Sequence, residues 1–198
     1  SSPSRGLGDV YKRQAEGLAS PVHQHVFCFR LDWELDGGPN AIYESQIEVL
    51  PISDTNPDGT QFQSVSTHLV DEASAKRNVY PERSRHWKVV NPASLNGLGK
   101  PVSYKLLPAG SPTLLAAEQS VVGRRGAFGK HHLWVTPYAD DELSAAGAHT
   151  VMHNGGGLPE YTKHNRDISE GDLVMWHTVA LTHVPRPEDW PVTVSYTH

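Results

Sequence analysis

Two histidines, His23 and His25, flank Gln24 in a stretch, Val22 to Leu35, whose residues favour a β-strand. On a strand, side chains at i and i+2 share a face, so these imidazoles can grip one ion. A third imidazole from a distant strand would leave an open position, the arrangement of a catalytic rather than a structural metal centre. Neutral imidazole suits copper and zinc. By spacing alone His177 and His183, six residues apart and of equal strand parity, are equal candidates for that third place.

Twelve histidines in 198 residues make chance His-x-His pairs common, so other uses of histidine must be weighed. His131 and His132 are adjacent and would point oppositely on a strand, which favours solvation or packing over ligation. Cys28 has the opposite parity to His23 and His25 and reads as a small core residue. Phe27 and Phe29 share the histidine face and would supply a dry shell around an ion.

The elements needed to position such a site are strands. Seventeen glycines, fifteen prolines and many short apolar runs favour a turn-rich β protein. Asp36-Gly37-Gly38-Pro39-Asn40 is a turn signal, with Ala41 to Ile52 as a returning strand in a predicted hairpin. Further strands are expected at Phe62–Val70, His86–Val90, Pro101–Leu107, His131–Tyr138 and Asp172–Val184. Asp71–Arg77 reads as a helical turn or charged loop, and His149–Tyr161 as an ordered loop. Regular short strands separated by turns predict an antiparallel β-sandwich.

Bulk properties exclude several classes. A net charge of −5 without a basic stripe argues against a nucleic-acid partner. No apolar run approaches the ~20 residues of a membrane span, so a soluble protein is expected, and the sequence does not distinguish a cytoplasmic from a periplasmic location. A single cysteine excludes an internal disulfide framework.

The histidine segments also carry a family resemblance. A His-x-His strand ending Arg30-Leu31-Asp32, and Thr182-His183 followed by Pro185-Arg186-Pro187-Glu188-Asp189-Trp190-Pro191, resemble the copper-binding segments of the copper amine oxidases. The likeness extends from about Pro21 to Val192 through Asn91-Pro92, Gly99–Leu106, Leu133–Tyr138 and Gly171–Thr178. It implies the later part of that family's large twisted β-sandwich catalytic domain, spanning residues 15–193. The flanking residues 1–14 and 194–198 resemble translated adapter sequence and are expected to lie outside the fold.

The resemblance implies His183 as third ligand beside His23 and His25, with His177 structural. It further implies a calcium-like second metal held by Asp32, Trp33, Glu34, Asp172 and Leu173, using side-chain and backbone oxygens. The implied activity is oxidative deamination of primary amines by O2 to aldehyde, ammonia and hydrogen peroxide, in a homodimer. Its cofactors would be copper and topaquinone, the latter made from a tyrosine in an Asn-Tyr-(Asp/Glu) context. None of the seven tyrosines here follows an asparagine. The chain alone is therefore expected to be inactive, with that tyrosine and the catalytic Asp upstream. A cupin-type dioxygenase is an alternative, since Gly17-x5-His23-x-His25 matches a cupin opening, but Phe29 and Arg30 stand where its glutamate belongs. A non-catalytic, metal-binding β-sandwich is the other.

Overall fold

The computed structural model describes residues 11–15, 18–148 and 156–184. Nine strands run in the order β1 (Tyr11–Ala15), β2 (Leu18–Pro21), β3 (His23–Trp33), β4 (Ala41–Val49), β5 (Phe62–Leu69), β6 (His86–Leu95), β7 (Pro101–Leu106), β8 (Leu133–Pro137) and β9 (Leu173–His183). Two short helices, α1 (Val121–Arg125) and α2 (Leu158–Tyr161), lie in the connections flanking β8. Strands β3, β9 and β8 form one antiparallel sheet, and β5, β4, β6 and β7 form another. Strands β1 and β2 pair with each other in a separate two-stranded sheet.

The two larger sheets meet through one core, as a sandwich requires. Ile42, Leu69, Trp87 and Val89 come from one sheet, and Leu133, Val135, Leu173 and Met175 from the other, all buried. Full burial of side chains of this size contributes about 1.5–3 kcal/mol each. The alternate residues of β8 and β9 (Trp134, Val174 and Trp176) build a second cluster with Leu158 on the sheet's other face, and Cys28 packs against it. Burial pushes the Cys28 thiol up to about 11, so it is an inert packing group.

A buried carboxylate organises the four-stranded sheet. Glu44 on β4 accepts hydrogen bonds from Arg77 Nε at 2.9 Å and Trp87 Nε1 at 3.0 Å, with Arg85 Nε at 3.2 Å. Burial alone would raise its pKa. The bonds from Arg77 and Trp87 and the charges of Arg77 and Arg85 outweigh that and hold it below the usual value.

The predicted hairpin after Leu35 does not form. Strand β3 pairs with β9 along its whole length, whereas β4 pairs with β5 and β6, so residues 34–40 carry the chain from one sheet to the other. Side chains explain the crossing. Asn40 Oδ1 accepts from Leu35 N at 3.1 Å, Asn91 Nδ2 donates to Leu35 O at 2.8 Å, and the Asn40 backbone bridges to Gly171. Asp36 and Gly37 take positive φ in this turn. The returning strand stops at Val49 rather than Ile52, and β6 runs on to Leu95 through an irregular pairing after Asn91.

Candidate metal centre

The β3–β9 ladder begins with His23 opposite His183, followed by Gln24 opposite Thr182 and His25 opposite Leu181. Residues directly opposite on an antiparallel pair share a face, as do i and i+2 on one strand. His23, His25 and His183 therefore emerge on one side of the sheet's end. Their ring centroids lie 4.8 Å (His23–His25), 4.9 Å (His23–His183) and 6.2 Å (His25–His183) apart. One nitrogen from each lies within 4.8 Å of the others, and all three rings are partly buried. The Nε2 atoms of His23 and His25 stand 3.0 Å apart. Metal–nitrogen bonds of about 2.0–2.1 Å put neighbouring ligand nitrogens about 3 Å apart, so this pair already has the spacing an ion needs. Three neutral imidazoles with no carboxylate or thiolate among them form a donor set suited to copper or zinc.

His177 is placed otherwise. It is 7% exposed, tilts over Trp87 at 6.1 Å between centroids, and its Nδ1 bonds the His132 carbonyl at 2.9 Å. Burial, the largest effect, lowers its pKa, with the His132 carbonyl pulling upward. His132 is buried as well, with Nε2 on Ser111 O at 2.8 Å and Nδ1 on Asn78 Oδ1 at 3.2 Å. His131 packs edge-on against Trp134, and burial lowers its pKa. None of these rings joins the three-histidine group.

Phe27 and Phe29 share the histidine face, but they are 44% and 52% exposed among the described residues, so they do not form the expected dry shell. Farther along that face Leu31 and Trp33 pack on the sandwich core.

Asp32, Trp33, Glu34 and Asp172 line one open cavity of about 420 Å³, and Leu173 pairs with Trp33 beside it. Asp32 accepts from Arg30 Nη1 at 3.0 Å. Their carboxylates do not converge as the three imidazoles do, among the described residues. The buried carboxylates elsewhere are tied to arginine: Glu44 to Arg77 and Arg85, and Glu72 and Glu142 to Arg166 at 2.7 and 2.9 Å.

One residue of the site has no signal in the sequence. Gln24 lies between the two histidines of β3, and its amide bonds residues 89 and 158 positions away. Spacing along the chain cannot single out such partners.

A β-sandwich with three imidazoles gathered at the end of one sheet has the donor set that histidine-ligated metal centres use. Comparison with known proteins narrows the class. The sequence model of the family described as copper amine oxidase, enzyme domain, matches residues 8–198. The chain belongs to the copper amine oxidases. It is 48% identical over 179 residues to the histamine oxidase of Arthrobacter globiformis, covering 90% of this chain and 26% of that protein. It is 38% identical over 180 residues to copper amine oxidase 1 of Aspergillus niger, covering 89% and 26%. Among solved structures, the copper-containing benzylamine oxidase from Hansenula polymorpha superposes with a TM-score of 0.79 at 31% identity, covering 87% of this chain and 28% of that one. The chain thus spans about a quarter of the length of the relatives it matches.

Proposed function

We propose that this chain is the copper-holding part of a primary-amine oxidase, with His23, His25 and His183 as the copper ligands. The observation that carries the reading is the meeting of those three imidazole nitrogens within 4.8 Å of one another in a member of this family. The parent reaction takes a primary amine, O2 and water to an aldehyde, ammonia and hydrogen peroxide. Copper, when bound, supplies redox capacity for making topaquinone from a tyrosine and a positive charge during reoxidation by O2. The residues here have simpler tasks. Each ligand imidazole must present an unprotonated nitrogen to the ion. The His23 and His25 Nε2 atoms, 3.0 Å apart, share a hydrogen bond that an ion held between those two atoms would replace. His177 supplies no ligand because its ring is spent on the His132 carbonyl and the core.

The cupin alternative fails on the donor set. Phe29 and Arg30 occupy the glutamate positions, and the buried carboxylates are held by arginine. A calcium-like ion at Asp32, Trp33, Glu34, Asp172 and Leu173 belongs to the same proposal, supported by the cavity that Asp32, Trp33, Glu34 and Asp172 share. So does a homodimer, in which Phe27 and Phe29 would find cover. Among the described residues no helix is long and apolar enough to cross a membrane.

Copper titration of the 198-residue chain tests the proposal. One Cu(II) per chain with nitrogen ligation is expected by electron paramagnetic resonance, lost in His183→Ala and retained in His177→Gln. The reverse pattern would move the third ligand to His177. The copper-loaded chain should develop no quinone absorbance and release no hydrogen peroxide from a primary amine. Copper-dependent peroxide production would show that it carries its own cofactor precursor.

A further inference from the structure

The two ligands on β3 are fixed relative to each other by strand geometry, but the third belongs to β9. The quantity left to be set is the placement of β9 against β3 at their shared end. His23 and His183 form the terminal pair of the ladder, and β3 is an edge strand of its sheet. Terminal pairs open more readily than interior ones.

Gln24 and Thr182 are the next pair in, on the opposite face from the histidines. The Gln24 amide makes three hydrogen bonds. Nε2 donates to Thr182 Oγ1 at 3.3 Å and to the Thr113 carbonyl at 3.2 Å, and Oε1 accepts from Leu115 N at 2.7 Å. The first bond crosses from the strand of two ligands to the strand of the third, one residue from His183. The other two offer the 113–115 segment a donor and an acceptor, as a neighbouring strand would.

That segment is held from its other side too. Leu114 N donates to Gly129 O at 2.8 Å. Gly129 sits so close that a Cβ there would lie 3.2 Å from Leu114 Cβ and 3.3 Å from Val26 Cγ1. Gln24 thus stands between the ligand end of the ladder and a segment packed on Gly129. Together with His23, Leu114 and Leu115 it lines a cavity of about 650 Å³.

We infer that Gln24 is a positioning residue for the three-histidine centre, setting His183 against His23 and His25 through Thr182 and the 113–115 segment. This rests on the copper reading above. Both donors and the acceptor of the amide are used, so neither a carboxylate nor a hydrocarbon can replace it.

The test uses the full chain loaded with Cu(II), with affinity from chelator competition and ligation from electron paramagnetic resonance. Gln24→Glu keeps the acceptor and loses the donors, Gln24→Leu loses all three bonds, and Thr182→Val removes only the cross-strand partner. Gln24→Glu and Gln24→Leu should each weaken copper by about tenfold or more, the scale of groups that orient metal ligands. Their spectra should shift toward fewer nitrogen ligands. Thr182→Val should move both readouts in the same direction by less. Ser45→Ala breaks the 2.6 Å Ser45–Ser66 hydroxyl contact in the other sheet and should leave both unchanged. If Gln24→Leu does not fold, Gln24→Glu and Thr182→Val carry the test. Unaltered affinity and spectra in those two would overturn the role of Gln24 while leaving copper binding intact. Absence of histidine-ligated copper in the unaltered chain would overturn both readings.

Discussion

On β9, His177 and His183 share a face but not a surrounding. His183 stands at the end of the ladder beside two other imidazoles, whereas His177 is enclosed by Trp87 and the His132 carbonyl. Burial lowers the pKa of His177 in the folded chain below its usual 6.5. As pH falls the unfolded chain therefore binds this proton first. The stability that neutral His177 contributes is present above about pH 6.5 and lost as pH falls below it. His86 and His131 are also shifted down by burial and act in the same direction. Urea midpoints with chelator present should fall between pH 7.5 and 5.5, and His177→Gln should make that fall shallower. An equal slope in the variant would mean that His177 titrates normally when folded. At this scale the sequence was legible in part. The i, i+2 spacing placed His23 and His25 on one face, but equal parity left His177 and His183 tied, and only the family resemblance around Thr182-His183 favoured His183. Gln24 was silent, because its meaning lies in partners brought up from far along the chain.

Most strands could be read from their own residues, since β-branched and aromatic runs between turn residues are local signals. Their partners could not. The Asp36–Asn40 turn looked like a hairpin because hairpins are the commonest use of such a sequence. The side chains of Asn40 and Asn91 hold the turn in another course, and Asn91 lies far outside the window that suggests a hairpin. The pairing of β3 with β9 has no local signature at all. Strands β1 and β2 stand apart, sharing no ladder with the two larger sheets among the described residues. Deleting residues 1–14 removes most of β1 yet touches no pairing of the sandwich. Thermal unfolding of the chain truncated to residues 15–193 should match that of the full chain. A loss of several degrees would place the ends within the cooperative unit.

Considered whole, the two larger sheets close on one core, with the candidate centre at one end of the three-stranded one. The centre draws on the first strand of the sandwich and on the last described strand, with nearly the whole described chain between them. That separation orders events in time. A ladder between such distant positions closes only after most of the intervening chain has collapsed, because the entropy of closing so long a loop is not recovered until then. An ion that needs both strands must therefore arrive last, as a latch on a finished sheet rather than a seed for it. An interaction made only after the folding barrier slows unfolding and leaves refolding untouched. Copper should accordingly lengthen the unfolding time of the chain in urea while its refolding rate stays the same, both measurable by stopped-flow fluorescence. Refolding that quickens with copper would mean that the histidines gather before the sheet does.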